Sequence, residues 1–141
     1  MTDRRVLIDT GPLVALLAEN DAHHRQCVET LAGLSPPLLT CWPVLTEAAS
    51  ILRRYPRPAD RLNDAHAAGL FDILPLNVDD LPAIAAIMRR YEDAGLQFAD
   101  AALAHLAERD NIRTVFTTDR RDFSIIRFKR NRMLKLLPEV Q

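Results

Sequence analysis

A chain of 141 residues has the length of one domain, 1–141, and leaves no room for a linker and a second core. With 48% apolar and 26% charged residues it can bury a core, which excludes a disordered interaction protein. Net charge is only −1, yet residues 1–108 carry 9 Lys/Arg against 15 Asp/Glu and residues 109–141 carry 9 against 4, so the C-terminal end is basic and suited to a polyanion.

The longest apolar runs fall far short of the ~18–20 residues of a membrane span, and no basic segment followed by an apolar stretch opens the chain. A cytoplasmic protein with no membrane partner is expected. Cys27 and Cys41 are too few for a disulfide framework, and His23, His24, His66 and His105 make no zinc-like spacing with them.

In chain order, Val6 to Ile8 read as a strand that stops at Asp9, and Thr10-Gly11-Pro12 supplies a capping hydroxyl and a first-turn proline for a helix to Ala18. Helix signals restart after Asp21 and run to about Ala32, and Leu38 to Cys41 form a second strand. Val44, Ala48, Ile51 and Tyr55 recur at helical spacing, predicting a helix to about Arg54 that Pro56 and Pro58 end. Another helix covers Ala59 to Ala68. Phe71 to Leu76 make the next apolar run, and Asn77 to Asp80 a turn and cap. Pro82 starts a helix ended by Gly95, and Ala99 to Glu108 form an alanine-rich helix able to approach a sheet closely. Thr114 to Thr117 and Met133 to Leu137 are the last strands. Strands separated by helices imply crossover connections, hence an α/β fold of three layers, a mostly parallel sheet flanked by helices.

Ligands of such a sheet bind beyond the carboxyl ends of its strands, where Asp9 and Asp119 stand. Either alone reads as a turn residue. Glu47 lies at the margin of its helix's apolar stripe, where a solvated role competes, and Asp100 sits where a carboxylate would favour a helix dipole. Taken together, the four lie on segments that one sheet edge can gather. Gathered carboxylates repel one another unless a cation neutralises them, and an oxygen-only donor set selects Mg²⁺ or Mn²⁺. The matching chemistry is metal-assisted phosphodiester hydrolysis. Thr10 and Thr118 neighbour candidate ligands and could orient a water or a carboxylate, a turn or cap bond being the plainer role for Thr10. Asp122 either binds metal or caps the segment beginning at Phe123.

Four segments, Leu7-Ile8-Asp9-Thr10-Gly11-Pro12, Val44-Leu45-Thr46-Glu47-Ala48, Phe98-Ala99-Asp100-Ala101-Ala102 and Phe116-Thr117-Thr118-Asp119-Arg120-Arg121-Asp122-Phe123, together resemble the PIN-domain family, and within it the VapC-like toxins of bacterial toxin–antitoxin pairs. The resemblance spans nearly the whole chain. It implies a Mg²⁺- or Mn²⁺-dependent endoribonuclease, a homodimer, and a cognate antitoxin whose C-terminal segment occupies the site. Asp9, Glu47, Asp100 and Asp119 would then be the acidic quartet and Asp122 a fifth member. Many relatives have an acid a few residues before the third motif, where this chain has Gln97. The substrate would be tRNA, rRNA or mRNA, its backbone held by Arg120, Arg121, Arg127, Lys129, Arg130 and Arg132.

His23 and His24 point about 100° apart on a helix, which makes joint ligation awkward and a packing or surface role the better reading. Trp42 reads as a core anchor ahead of a partner contact. Three other functions compete: an RNA-processing nuclease of the same fold that is not a toxin, a phosphatase using Asp9 as phosphoryl acceptor, and a non-catalytic RNA- or protein-binding module. Gly11 stands where a phosphatase of that type needs a second acid.

Overall fold

A computed structural model describes residues 3–128 and 131–139. Five three-residue strands, β1 (Val6–Ile8), β2 (Leu38–Thr40), β3 (Phe71–Ile73), β4 (Thr114–Phe116) and β5 (Lys135–Leu137), form one sheet in the order β3-β2-β1-β4-β5, with every pair parallel. The register sets Leu7 beside Leu39 on one side and Val115 on the other. Strands buried on both faces need continuous apolar sequence, and Val6-Leu7-Ile8 is buried at all three positions.

Among the described residues, seven α-helices connect and cover the strands: α1 (Thr10–Leu17), α2 (His24–Ala32), α3 (Trp42–Ile51), α4 (Pro58–Ala67), α5 (Leu81–Arg90), α6 (Phe98–Arg109) and α7 (Arg120–Ser124). The alanines of α6 let it pack against both α3 and α5, and Ala101, Ala102, Leu103, Ala104 and Leu106 are fully buried. Among the described residues, no helix is long and apolar enough to cross a membrane.

Three expected elements end early, among them α5, which stops at Arg90 and gives way to a 3₁₀ turn over Glu92–Ala94 before Gly95. The α-helix of α3 stops at Ile51 and tightens into a 3₁₀ turn over Leu52–Arg54, as helix ends often do, and only Phe71–Ile73 of the run to Leu76 is paired. The short α7 had no apolar periodicity to announce it. Asn77 and Asp80 form a reciprocal capping box ahead of α5, as the turn-and-cap reading expects.

The strand order positions the site. From β1 the chain steps outward through β2 to β3, then returns past β1 to β4 and β5. The reversal opens a crevice beyond the carboxyl ends of β1 and β4, the place where open parallel sheets bind ligands. Asp9 follows one of these strands directly, and Asp119 lies three residues past the end of the other.

Candidate metal centre

The Asp9 amide donates to the Phe116 carbonyl at 2.9 Å, extending the pairing of β1 and β4 by one residue and holding the aspartate at the crevice. Asp9 occupies the N-cap of α1 and Asp119 that of α7, yet neither side chain makes a capping hydrogen bond. The turn-forming explanation therefore leaves both carboxylates unaccounted for. Asp9 is only 6% exposed. Asp100 lies in the first turn of α6, half-buried, while Glu47 on α3 and Asp119 are exposed.

These acids share one electrostatic environment. Burial pushes the Asp9 carboxyl up to about 6, with the charges of Glu47 and Asp119 adding to it, while the Thr10 amide and the Thr117 hydroxyl pull the other way. Burial raises Asp100 to about 7, reinforced by Asp9, Asp122, Glu47 and Asp119. Asp122 is also raised, by burial and by Asp119 beside it. It is the third residue of α7, past the cap position, so the capping alternative for it is not what the fold adopts.

One residue that sequence reasoning passed over joins the two strand ends. Thr117 is fully buried; its Oγ1 donates to Asp9 Oδ2 at 2.9 Å and accepts the Asp119 backbone N–H at 3.0 Å. Its neighbour Thr118 serves packing: a Cβ on Gly11 would overlap Thr118 Oγ1, so glycine lets the first turn of α1 close against the segment after β4. The signal for Thr117 was its place two residues before Asp119, in a run that also reads as plain β sequence. Thr10, expected to make a turn or cap bond, instead has its Oγ1 buried with no hydrogen-bond partner among the described residues.

The remaining candidates separate. Arg120 donates to the Pro138 carbonyl, Arg127 to the Ser124 and Ile126 carbonyls, and Arg121 is exposed beside Asp119. Arg132 lies with Arg113 along a 290 Å³ cavity where β4 and β5 begin, at the sheet edge opposite the carboxylates. Lys129 and Arg130 lie outside the described residues. His24 packs: its Nδ1 is 2.6 Å from the Ala15 carbonyl oxygen, tying α2 to α1. Trp42 is not a core anchor but stands 62% exposed, because it is the first residue of α3, at the helix end and not on its buried face.

The donor set fits a hard divalent ion. It is all oxygen, it is destabilised by its own charge, and an orphaned Thr10 hydroxyl adjoins it. Among the described residues no three carboxylates, imidazoles or thiols lie close enough to clamp an ion alone, so an ion held here would complete its coordination with waters, as Mg²⁺ does.

The PIN domain model matches residues 6–129, and the chain belongs to that family. It is similar to Ribonuclease VapC26 of Mycobacterium tuberculosis, 28% identical over 130 residues that cover 86% of this chain and 92% of the relative. Its fold matches the crystal structure of Mycobacterium tuberculosis VapC20, described as a sarcin–ricin loop cleaving toxin, with TM-score 0.72, 18% identity and coverage of 83% and 92% of the two chains. A toxin–antitoxin complex from Klebsiella pneumoniae matches with TM-score 0.64, 20% identity and coverage of 86% and 92%. VapBC2 from Rickettsia felis, bound to promoter DNA, matches with TM-score 0.61, 17% identity and coverage of 93% and 96%.

Proposed function

We propose that this protein is a Mg²⁺- or Mn²⁺-dependent endoribonuclease and the toxin of a toxin–antitoxin pair. The observation that carries the reading is the single electrostatic environment that Asp9, Asp100, Asp119, Asp122 and Glu47 share beyond the carboxyl ends of β1 and β4, with two carboxyls raised to about 6 and about 7 by burial and mutual charge. A protein with no cation to bind gains nothing from that repulsion. The ribonuclease relative and the toxin–antitoxin neighbours support the substrate class and an antitoxin partner. The resemblance of its four acidic motifs to VapC-like toxins further implies a homodimer acting in the cytoplasm.

Asp9, Glu47, Asp100 and Asp119 would hold the ion, with Asp122 alongside. Bound there, it supplies charge neutralisation, Lewis acidity at the phosphoryl group and activation of a water nucleophile. The chain's own residues prepare the place. Thr117 fixes the Asp9 carboxylate and the Asp119 backbone together, so two donors from different strands keep one relative position. Arg121, exposed beside the cluster, offers a cation to the RNA backbone.

The test is cleavage of a mixed tRNA and rRNA pool by the purified protein with Mn²⁺ or Mg²⁺, with EDTA and Asp9→Asn as controls. Discrete products lost in both controls are expected. Equal cleavage by wild type and variant would overturn the reading. So would absence of both cleavage and Mn²⁺ binding, leaving a non-catalytic binding module.

A further inference from the structure

A second concavity opens directly beside the acidic crevice. It has a volume of about 600 Å³ and lies between α2, the segment after β4 and the residues after β5. Thr117, whose hydroxyl holds Asp9, is among the residues around it, which places the groove next to the candidate metal centre. A nucleotide fits a space of that size.

The chemistry of its walls decides what it can hold. Gln26 and Thr118 offer both donors and acceptors, Arg120 donates only, and Glu29 accepts only. Glu139 is also present but is occupied by Lys135 at 3.1 Å, whereas Glu29 meets only the exposed Arg25 on its own helix, at 3.4 Å. A phosphodiester, which presents acceptors and negative charge, is repelled by the Glu29 carboxylate. A base with adjacent N–H donors is not. Guanine is the one RNA base whose Watson–Crick edge has two neighbouring donors, N1–H and N2–H, which a carboxylate accepts together, while its O6 and N7 accept from an amide or guanidinium. Uracil would turn a carbonyl oxygen towards Glu29, and adenine or cytosine a ring-nitrogen lone pair. The exposed His23 ring at the groove adds a flat surface on which an unpaired base can stack.

We propose that this groove holds one unpaired guanine of the RNA strand flanking the cleaved bond, with Glu29 and Gln26 reading its edge and His23 stacking on it. The inference rests on the ribonuclease reading for its substrate, and its test separates the two.

Isotope-labelled protein is titrated in EDTA with GMP, AMP, CMP and UMP, which share a phosphate and differ in the base. GMP is expected to shift the Gln26 side-chain amide and the Thr30 and Thr118 backbone amides, at least fivefold more tightly than UMP, with the difference lost in Glu29→Gln and reduced in Gln26→Ala. In parallel, Mn²⁺-dependent cleavage of single-stranded RNAs with guanosine or uridine flanking the cut site should favour guanosine about tenfold, and this ratio should collapse in Glu29→Gln. Equal affinity for all four nucleotides, or shifts outside the groove, would overturn the proposal even where metal-dependent cleavage is intact. Selective GMP binding in a protein that cleaves no RNA would leave the guanine site standing and remove the ribonuclease.

Discussion

Thr117 and Asp9 lie 108 residues apart in sequence and are joined by a 2.9 Å hydrogen bond in which the buried hydroxyl donates to Oδ2. Because the same oxygen accepts the Asp119 N–H, one side chain aligns two acids that leave the sheet from neighbouring strands. Thr117→Val keeps the shape and removes both bonds. Cleavage should fall about 10–100-fold, as it does when a group orienting a metal ligand is lost. Stability should drop by about 1–3 kcal/mol as the buried Asp9 carboxyl loses its hydroxyl donor. Thr117→Ser should retain most of both, as measured by initial cleavage rates and denaturant melts.

Asp9 makes metal-free stability depend on pH. Its carboxyl and that of Asp100 are raised from the ordinary 3.8 to about 6 and about 7. Between pH 4 and 7 the folded protein therefore binds more protons than the unfolded chain, so its stability falls as pH rises through that window. In EDTA, wild type should melt lower at pH 7.5 than at pH 5.5. Asp9→Asn should reduce this difference and raise stability at pH 7.5 by about 1–3 kcal/mol. A lower melting temperature for the variant at pH 7.5 would contradict a shared acidic site.

Added divalent cation should reverse the order. Saturating Mn²⁺, binding only the folded state, should stabilise wild type by about 3 kcal/mol at a hundredfold excess over Kd. Asp9→Asn should gain far less, so the two melting curves cross as Mn²⁺ is titrated.

Gly11 is a packing requirement. Gly11→Ala places a methyl group on Thr118 Oγ1, a stiff β-branched position, and should cost about 1–3 kcal/mol. The double variant Gly11→Ala/Thr118→Ala should recover much of that loss, and a double-mutant cycle on melting free energies measures the coupling.

Asp80 behaves in the opposite sense to Asp9. Hydrogen bonding from His105 at 2.7 Å, then from the Asn77 amide and from Arg109, holds its carboxyl down at about 2. Its contribution to stability is present above the ordinary carboxylate value and is lost as pH falls towards 2. Asp80→Asn should lower the melting temperature at pH 7 and have a progressively smaller effect in acid, as followed by circular dichroism.

Much of this was legible in the sequence because it is local. Val6-Leu7-Ile8 followed by Asp9, the capping residues at Asn77 and Asp80, and the alanines of α6 each declare their element through propensity and spacing. The acidic positions were legible too, since strand ends in an α/β chain are where ligands gather. Trp42 was misread because burial is a property of the neighbours a residue meets, and its place at the first turn of α3 sets it along an apolar groove and not inside the core. The basic segment after Asp119 was read as one rim, but chain direction carries Arg132 to the opposite sheet edge before β5 begins.

What the sequence determined by itself was therefore the set of elements and the kinds of chemical group at their ends, both governed by short-range pattern. The strand order was decided only by the tertiary structure, because crossover handedness and the choice of neighbour depend on how whole faces pack. That order puts β4 beside β1, so that Thr117 can reach Asp9 and the carboxylates share one field. Their raised proton affinities come from burial and proximity across more than 90 residues, which no local pattern encodes.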